Sequence, residues 1–165
     1  MLFSEMMQEA INIRTSTDAK LRADFDARPK FQQSSLFANK EVRAIRELPL
    51  EERIARCTSM KLEGNEQMRK GLPDKACQVY EQALAIFWYL DNRNNNWKLS
   101  GIKDEDIEEV NFCPGPGMEA SQEETRDLKV ALLLNIARAY AAQLDHATSV
   151  RACTTALTLD DRSAK

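Results

Sequence analysis

The stretch KLEGNEQMRKGLPDKACQVYEQAL, from Lys61 to Leu84, carries the clearest indication of the fold. Gly71 and Pro73 interrupt a helical pattern near its middle, and the apolar residues after the break recur every three or four positions, as on one buried helical face. A glycine inside a helix costs about 1 kcal/mol relative to alanine, so we attribute Gly64 to the close approach of a second helix. The stretch therefore predicts two antiparallel helices joined by a turn.

Composition limits the class of protein. The chain has 165 residues, of which 43% are hydrophobic and 30% are charged, and this balance is typical of one soluble globular domain with a single core. The net charge of -3 argues against a general binder of nucleic acid or of anionic membranes. No apolar run approaches membrane-spanning length, and the first residues lack the basic leader of a signal peptide. We therefore expect the protein to be cytoplasmic, with the nucleus as the other possible compartment.

The cysteines and the single histidine do not predict a chemical site. Cys57, Cys77, Cys113 and Cys153 contain no CxxC spacing, and only one histidine is present to complete a metal-binding set. We predict no metal and no cofactor, and we expect Cys77 and Cys153 to be buried, inert thiols on apolar helical faces. His146 falls at a turn between helices, and the sequence shows no nucleophile paired with this histidine as a base. We therefore predict that the chain is not an enzyme.

The first 50 residues are predicted to form a partly helical extension. Residues 1–15 carry apolar side chains at helical spacing, which indicates an amphipathic helix whose partner surface the sequence does not reveal. Residues 15–39 are mostly polar and interrupted by Pro29, so we expect an irregular or partly helical arm. Its apolar side chains should attach it to the helical body. These side chains are Phe25, Phe31, Leu36 and Phe37.

A helix is predicted to follow Pro49 and to continue to about Arg69, where the turn begins. The second helix of the hairpin is expected to continue past Leu84 to Leu90, with its aromatic residues packing against neighbouring helices rather than stacking on a ligand. Residues 91–127 are predicted to be an inserted surface loop, because a Pro/Gly cluster at 114–117 prevents a continuous helix. The acidic run 104–109 lacks the pattern of a calcium loop and is interpreted as a solvated face.

The last part of the chain repeats the helical pattern. An apolar helix is predicted over 128–143, and a returning helix over 147–159. Asn135 lies alone among the apolar side chains of the first of these helices. A polar amide in that setting needs a hydrogen-bonding partner or a function.

The two helix pairs are similar to each other in sequence. Gly64 aligns with Ala137, and Tyr80 aligns with Cys153, with small residues where the paired helices cross. The segments 57–90 and 128–161 resemble tetratricopeptide repeats, which are helix-turn-helix units of about 34 residues. The Lys-x-x-Gly-Asn start, the long second helix and the inserted loop are most similar to co-chaperone domains of the immunophilin class. The resemblance implies an all-α fold: an antiparallel array of about two repeats over 51–165, with the start of a third at 164–165.

The same resemblance implies a binding site. Co-chaperone domains of this family hold the acidic C-terminal tail of a heat-shock chaperone through a two-carboxylate clamp, and Lys61, Asn65, Asn135 and Lys165 fall at clamp positions. Lys61 and Asn65 are four residues apart, so both project from one helix face, where an ammonium and an amide can grip one carboxylate. The arginine that would complete the clamp falls four residues after Lys165, beyond the sequence, so we expect the chain to be a fragment of a longer protein.

Simpler interpretations remain open for each clamp residue. Lys61 can be a solvated lysine, Asn65 a cap for a neighbouring turn, and Asn135 a structural amide between helices. The leading function is therefore a non-enzymatic adaptor for a chaperone tail. The alternative is a structural or scaffolding module that binds a partner protein, or itself, through its helical surfaces without recognising a carboxylate.

Overall fold

The computed structural model describes residues 2–160, and most of them are helical. Nine α-helices and one two-stranded antiparallel sheet lie within this range, with a short 3-10 turn before the second strand. In chain order they are α1 (Phe3–Leu21), α2 (Ala23–Ala27), α3 (Lys30–Ser35), α4 (Lys40–Ile45), α5 (Leu50–Arg69), α6 (Pro73–Leu84), β1 (Trp88–Asn92), α7 (Trp97–Ser100), β2 (Ile107–Asn111), α8 (Glu119–Ala142) and α9 (His146–Leu159).

The predicted hairpin is present as α5 and α6, and its glycine marks the closest approach. Gly64 is buried under the ring of Tyr80, and a Cβ atom at Gly64 would lie 2.3 Å from Tyr80 Cε1. Tyr80 Oη donates a hydrogen bond to Asn65 Oδ1 on the side of the hairpin nearer the turn. Farther from the turn, Cys57 Sγ donates to Ala83 O at 3.3 Å. The two helices therefore run antiparallel, as the sequence predicted.

The helix α8 packs against the α5–α6 hairpin. Its Tyr140 hydroxyl donates a hydrogen bond to the buried Glu81 of α6, and Gln143 reaches Pro73 O at the start of α6. These contacts set α8 antiparallel to α6. The returning helix α9 packs along α8, where Ser149 Oγ donates to Ala137 O at 2.8 Å.

The buried apolar side chains of the helices form one main hydrophobic core. It joins the inward faces of α5, α6, α8 and α9 to α3 and α4, so the N-terminal extension contributes to the same core as the helix pairs. The largest fully buried side chains in this core are Phe31, Val42, Cys57, Tyr80, Ile86, Phe87, Leu132, Leu133 and Ile136.

The expectation that the second helix continues to Leu90 is wrong. The helix α6 ends at Leu84, and Trp88–Asn92 becomes strand β1, paired with β2. Two arginines explain the end: Arg46 Nε donates to Ala85 O at 2.9 Å and Arg53 donates to Ile86 O at 3.3 Å, which satisfies carbonyls at the helix C-terminus. Long-range hydrogen bonds and strand pairing therefore override the local helical pattern.

The inserted segment is also more ordered than a surface loop. It contains α7, the 3-10 turn and β2, and α8 begins at Glu119, well before the predicted start at residue 128. Two residues of the acidic run 104–109 bind the N-terminal arm. Asp104 accepts hydrogen bonds from the backbone N–H groups of Asp24 and Phe25, both at 2.9 Å. Glu109 accepts from Arg28 at 3.0 Å. Part of the predicted solvated face therefore ties the insertion to the N-terminal arm.

The N-terminal arm is attached by apolar side chains as predicted, with one exception. Phe25 and Leu36 form a second small core with Leu90 and Ile102, whereas Phe37 is 58% exposed and lies edge-on to Trp97. The leading helix α1 has no buried residue. No helix within residues 2–160 combines the length and the hydropathy needed to cross a bilayer.

Replacing Gly64 tests the close approach of α5 and α6. The Gly64→Ala substitution places a methyl group 2.3 Å from Cε1 of the buried Tyr80 ring, so the ring or one of the two helices must move. Although alanine is the better helix former, we expect the free energy of unfolding to fall by about 1 to 3 kcal/mol in urea denaturation. Gly115→Ala is the matched control, because nothing lies within 4 Å of a Cβ atom there. Equal stability of Gly64→Ala and wild type would contradict the packing.

Removing the Tyr140 hydroxyl tests the polar contact between α6 and α8. The Tyr140→Phe substitution leaves the buried Glu81 Oε1 with only the weak thiol donor of Cys77 at 3.6 Å, and a poorly satisfied buried acceptor costs about 1 to 3 kcal/mol. We expect a loss of this size in the free energy of unfolding. Tyr89→Phe is the control, since no hydrogen bond to its hydroxyl is found within residues 2–160. Similar losses in both variants would refute a special role for the Tyr140–Glu81 contact.

Candidate functional site

The main candidate site is a polar cavity between α5 and α8. It has a volume of about 370 Å³ and opens to solvent. Its walls combine two amides, two guanidinium groups, a phenol and a thioether. The lining residues are Asn65, Met68, Arg69, Tyr80, Asn135 and Arg138.

The two predicted asparagines meet at this cavity. Asn135 Nδ2 donates a hydrogen bond to Asn65 Oδ1 at 3.3 Å, from one helix pair to the other. Tyr80 Oη donates to the same Asn65 oxygen at 2.7 Å. A carbonyl oxygen has two lone pairs, and both are used here. The Nδ2–H groups of Asn65 are therefore the part of this side chain that remains to donate to a ligand.

The cavity has a positive wall. Arg69 comes from the last turn of α5 and is paired with Glu66 at 2.8 Å, whereas Arg138 comes from α8 and is exposed. The phenol of Tyr80 stays neutral, because burial raises its pKa more than the nearby charge of Arg138 lowers it. Hydrogen-bond donors beside guanidinium groups favour the binding of an anion. Carboxylates and phosphates are the anions that a guanidinium group usually binds, through two parallel hydrogen bonds.

Lys61 occupies a different place from the asparagines. It lies one helical turn before Asn65 and lines a neighbouring cavity of about 310 Å³ with the carboxylates of Glu124 and Asp127. The structure therefore brings Asn65 and Asn135 together but does not place Lys61 in the cavity that they line. The fourth predicted residue, Lys165, lies outside the described residues.

Three lining residues were not predicted from the sequence as site residues. Arg69 and Arg138 give the cavity its positive charge, and Tyr80, which was assigned only to packing, donates a hydrogen bond to Asn65. A signal for Arg138 was present, because it aligns with Asn65 when the two helix pairs are aligned in sequence and directly follows Ala137, the counterpart of Gly64. Equivalent positions of two similar helix hairpins that pack side by side lie on the same side.

A second cavity, of about 250 Å³, lies beside the N-terminal half of α8. Its wall is largely apolar and includes Phe112, Pro114 and Leu159. It also contains Lys129, a charged residue that is buried. Lys129 Nζ donates to Asn111 Oδ1 at 2.7 Å and also to Phe112 O. Burial lowers the pKa of this ammonium to about 8. The hydrogen bonds fix the end of β2 to α8.

The cysteines divide into two groups. Cys57 and Cys77 are buried, and burial raises the pKa of each thiol to about 12, so neither is a reactive thiolate at neutral pH. Cys113 and Cys153 are exposed. The expectation that Cys153 is buried is wrong, because its side of α9 faces away from α8. Within residues 2–160, no three metal-ligating side chains come together as a metal site.

Comparisons of this chain with protein-family models, with curated proteins and with solved structures found no match.

The ionisation of Lys129 predicts a specific pH dependence of stability. Its pKa is lowered from 10.5 to about 8, so between these values the unfolded chain binds the proton more strongly than the folded chain. The contribution of Lys129 to stability therefore rises with pH from about 8 to about 10.5, by up to about 3 kcal/mol.

Urea denaturation of wild type and Lys129→Met across this range measures the effect. We expect the free energy of unfolding of wild type to rise relative to that of Lys129→Met as the pH increases. The exposed Lys75→Met variant is the control and should follow wild type at every pH. A constant difference between wild type and Lys129→Met would contradict the lowered pKa.

Proposed function

We propose that this chain is a non-enzymatic protein-interaction module of the tetratricopeptide-repeat type, which binds the free C-terminal carboxylate of a partner protein. The observation that carries the proposal is the contact of Asn65 with Asn135, at 3.3 Å, in a cavity open to solvent. These are the amides that the resemblance implies for carboxylate recognition. They come from different helix pairs, so the site depends on the packing of one pair against the other.

The arrangement of the helices supports the repeat interpretation. The pairs α5–α6 and α8–α9 are both hairpins of adjacent helices, and α8 packs against the first pair. Side-by-side stacking of similar hairpins buries a continuous core and leaves one helix of each pair along an open face. Asn65 and Asn135 lie on the helices that would line that face, α5 and α8.

The chemistry of the cavity supports an anionic ligand. Amide N–H groups and guanidinium groups donate hydrogen bonds, and an ionised acceptor strengthens each of them to about 1.5 to 3 kcal/mol. A C-terminal carboxylate offers two acceptor oxygens in one plane. The resemblance implies that the partner is a heat-shock chaperone with an acidic tail, and the cytoplasm is then the place where the two proteins meet.

Calorimetry with one peptide in two forms tests the proposal. The peptide Met-Glu-Glu-Val-Asp with a free C-terminus should bind more tightly than its C-terminally amidated form, by about 10-fold or more, because amidation removes one charge-assisted interaction. Asn135→Ala should weaken binding of the free acid by a similar factor and leave the amidated form little changed. Asn95→Ala, in an exposed turn, is the control.

The second candidate is a structural module that self-associates or binds a partner through apolar helix surfaces. The observation that favours it is the exposure of apolar side chains on α1 and α9, such as Phe3 at 78% and Leu157 at 64%. This candidate predicts no role for a terminal carboxylate. Equal affinities of wild type for the free and the amidated peptide would favour it over carboxylate binding.

A further inference from the structure

We infer that Arg138, rather than Lys61, is the cation that binds the ligand carboxylate, and that it acts together with the amide of Asn65. This inference rests on the proposed function and specifies the chemistry of that site. Lys61 is the cation that the family resemblance implies, whereas Arg138 was not predicted from the sequence.

Arg138 lines the same cavity as the two asparagines, and Lys61 does not. Arg138 is three residues after Asn135 on α8, so both side chains project from one face of that helix. A ligand oxygen held by the Asn65 amide therefore lies beside the guanidinium of Arg138. The cavity places a cation, two amides and open volume within one site.

The charge of Arg138 is also the least compensated in the cavity. Arg69, the other cation of the wall, is already paired with Glu66 at 2.8 Å. For Arg138, no carboxylate within residues 2–160 lies at ion-pairing distance. A ligand carboxylate would therefore replace water, rather than a protein carboxylate, as the partner of Arg138.

Lys61 has the opposite electrostatic setting. Its cavity is lined by the carboxylates of Glu124 and Asp127, and Asp127 lies 3.9 Å from the guanidinium of Arg126. Both carboxylates repel an incoming carboxylate. A ligand carboxylate at Lys61 would be the third carboxylate in that cavity. Binding at Arg138 brings the negative charge to a positive wall.

The shape of the guanidinium also suits the ligand. Two parallel N–H groups of an arginine match the two oxygens of a carboxylate, whereas an ammonium acts as a point charge. Asn65 contributes its Nδ2–H because its oxygen is occupied by Tyr80 and Asn135. A carboxylate at this place would thus accept a bidentate contact from Arg138 and a further hydrogen bond from Asn65.

Titration of four variants with the free and amidated peptide tests the inference. We expect Arg138→Gln to lose about 10-fold or more in affinity for the free acid and to bind both forms alike, because the interaction with the ionised group is gone. Arg138→Lys should show an intermediate loss. Lys61→Gln should keep the discrimination between the two forms, with less than about 3-fold change. Arg56→Gln, an exposed arginine of α5 outside the cavity, is the control for net charge.

The outcomes separate this inference from the proposed function. If Lys61→Gln abolishes the discrimination and Arg138→Gln keeps it, the carboxylate is bound by Lys61, and the inference is wrong although the proposed function stands. If wild type itself binds both peptides equally, the proposed function fails and the inference fails with it. Thermal unfolding followed by circular dichroism checks that each variant is folded, and Arg138 is exposed, so its replacement disturbs no core contact.

Discussion

The contact between Gly64 and the Tyr80 ring is the constraint on which the candidate site depends. Because Gly64 has no side chain, α6 approaches α5 closely enough for the Tyr80 ring to lie against the α5 backbone. That position brings the Tyr80 hydroxyl to Asn65, and Asn65 in turn accepts a hydrogen bond from Asn135. A packing feature of the first hairpin thus orients the amide that faces the cavity.

Polar contacts between helices fix how the two helix pairs meet. Apolar packing is tolerant of small shifts between helices, whereas a buried polar group without a partner is costly, so hydrogen bonds select one arrangement. The Tyr140 hydroxyl bonded to Glu81 joins α8 to α6, and the burial of Tyr140 together with the charge of Glu81 raises the pKa of the phenol. The contact of Asn135 with Asn65 joins α8 to α5. Together these bonds hold α8 in register with both helices of the first pair.

Two arginines, Arg46 after α4 and Arg53 of α5, pack against aromatic rings of the strand pair and of the residue that follows it. Arg46 lies over the Tyr89 ring, with 3.5 Å from the guanidinium carbon to the ring centroid, and Arg53 lies 4.2 Å from the ring centroid of Phe112. Burial lowers the pKa of both arginines, to about 10 for Arg46, and the facing aromatic rings stabilise their charge. These two arginines therefore hold the strand pair in place at the end of α6.

Two local features were predictable from the sequence: helical periodicity and the break at Gly71 and Pro73 predicted the α5–α6 hairpin, and the solitary Asn135 predicted a polar contact. These are properties of neighbouring residues along one helix, which periodicity records. The end of α6 at Leu84 was not predictable in this way, because the backbone carbonyls that follow it accept hydrogen bonds from Arg46 and Arg53, which are distant in sequence. Which cation shares a cavity with the asparagines also depends on tertiary structure, because the packing of α8 on α5 places Arg138 beside them and leaves Lys61 in a neighbouring cavity.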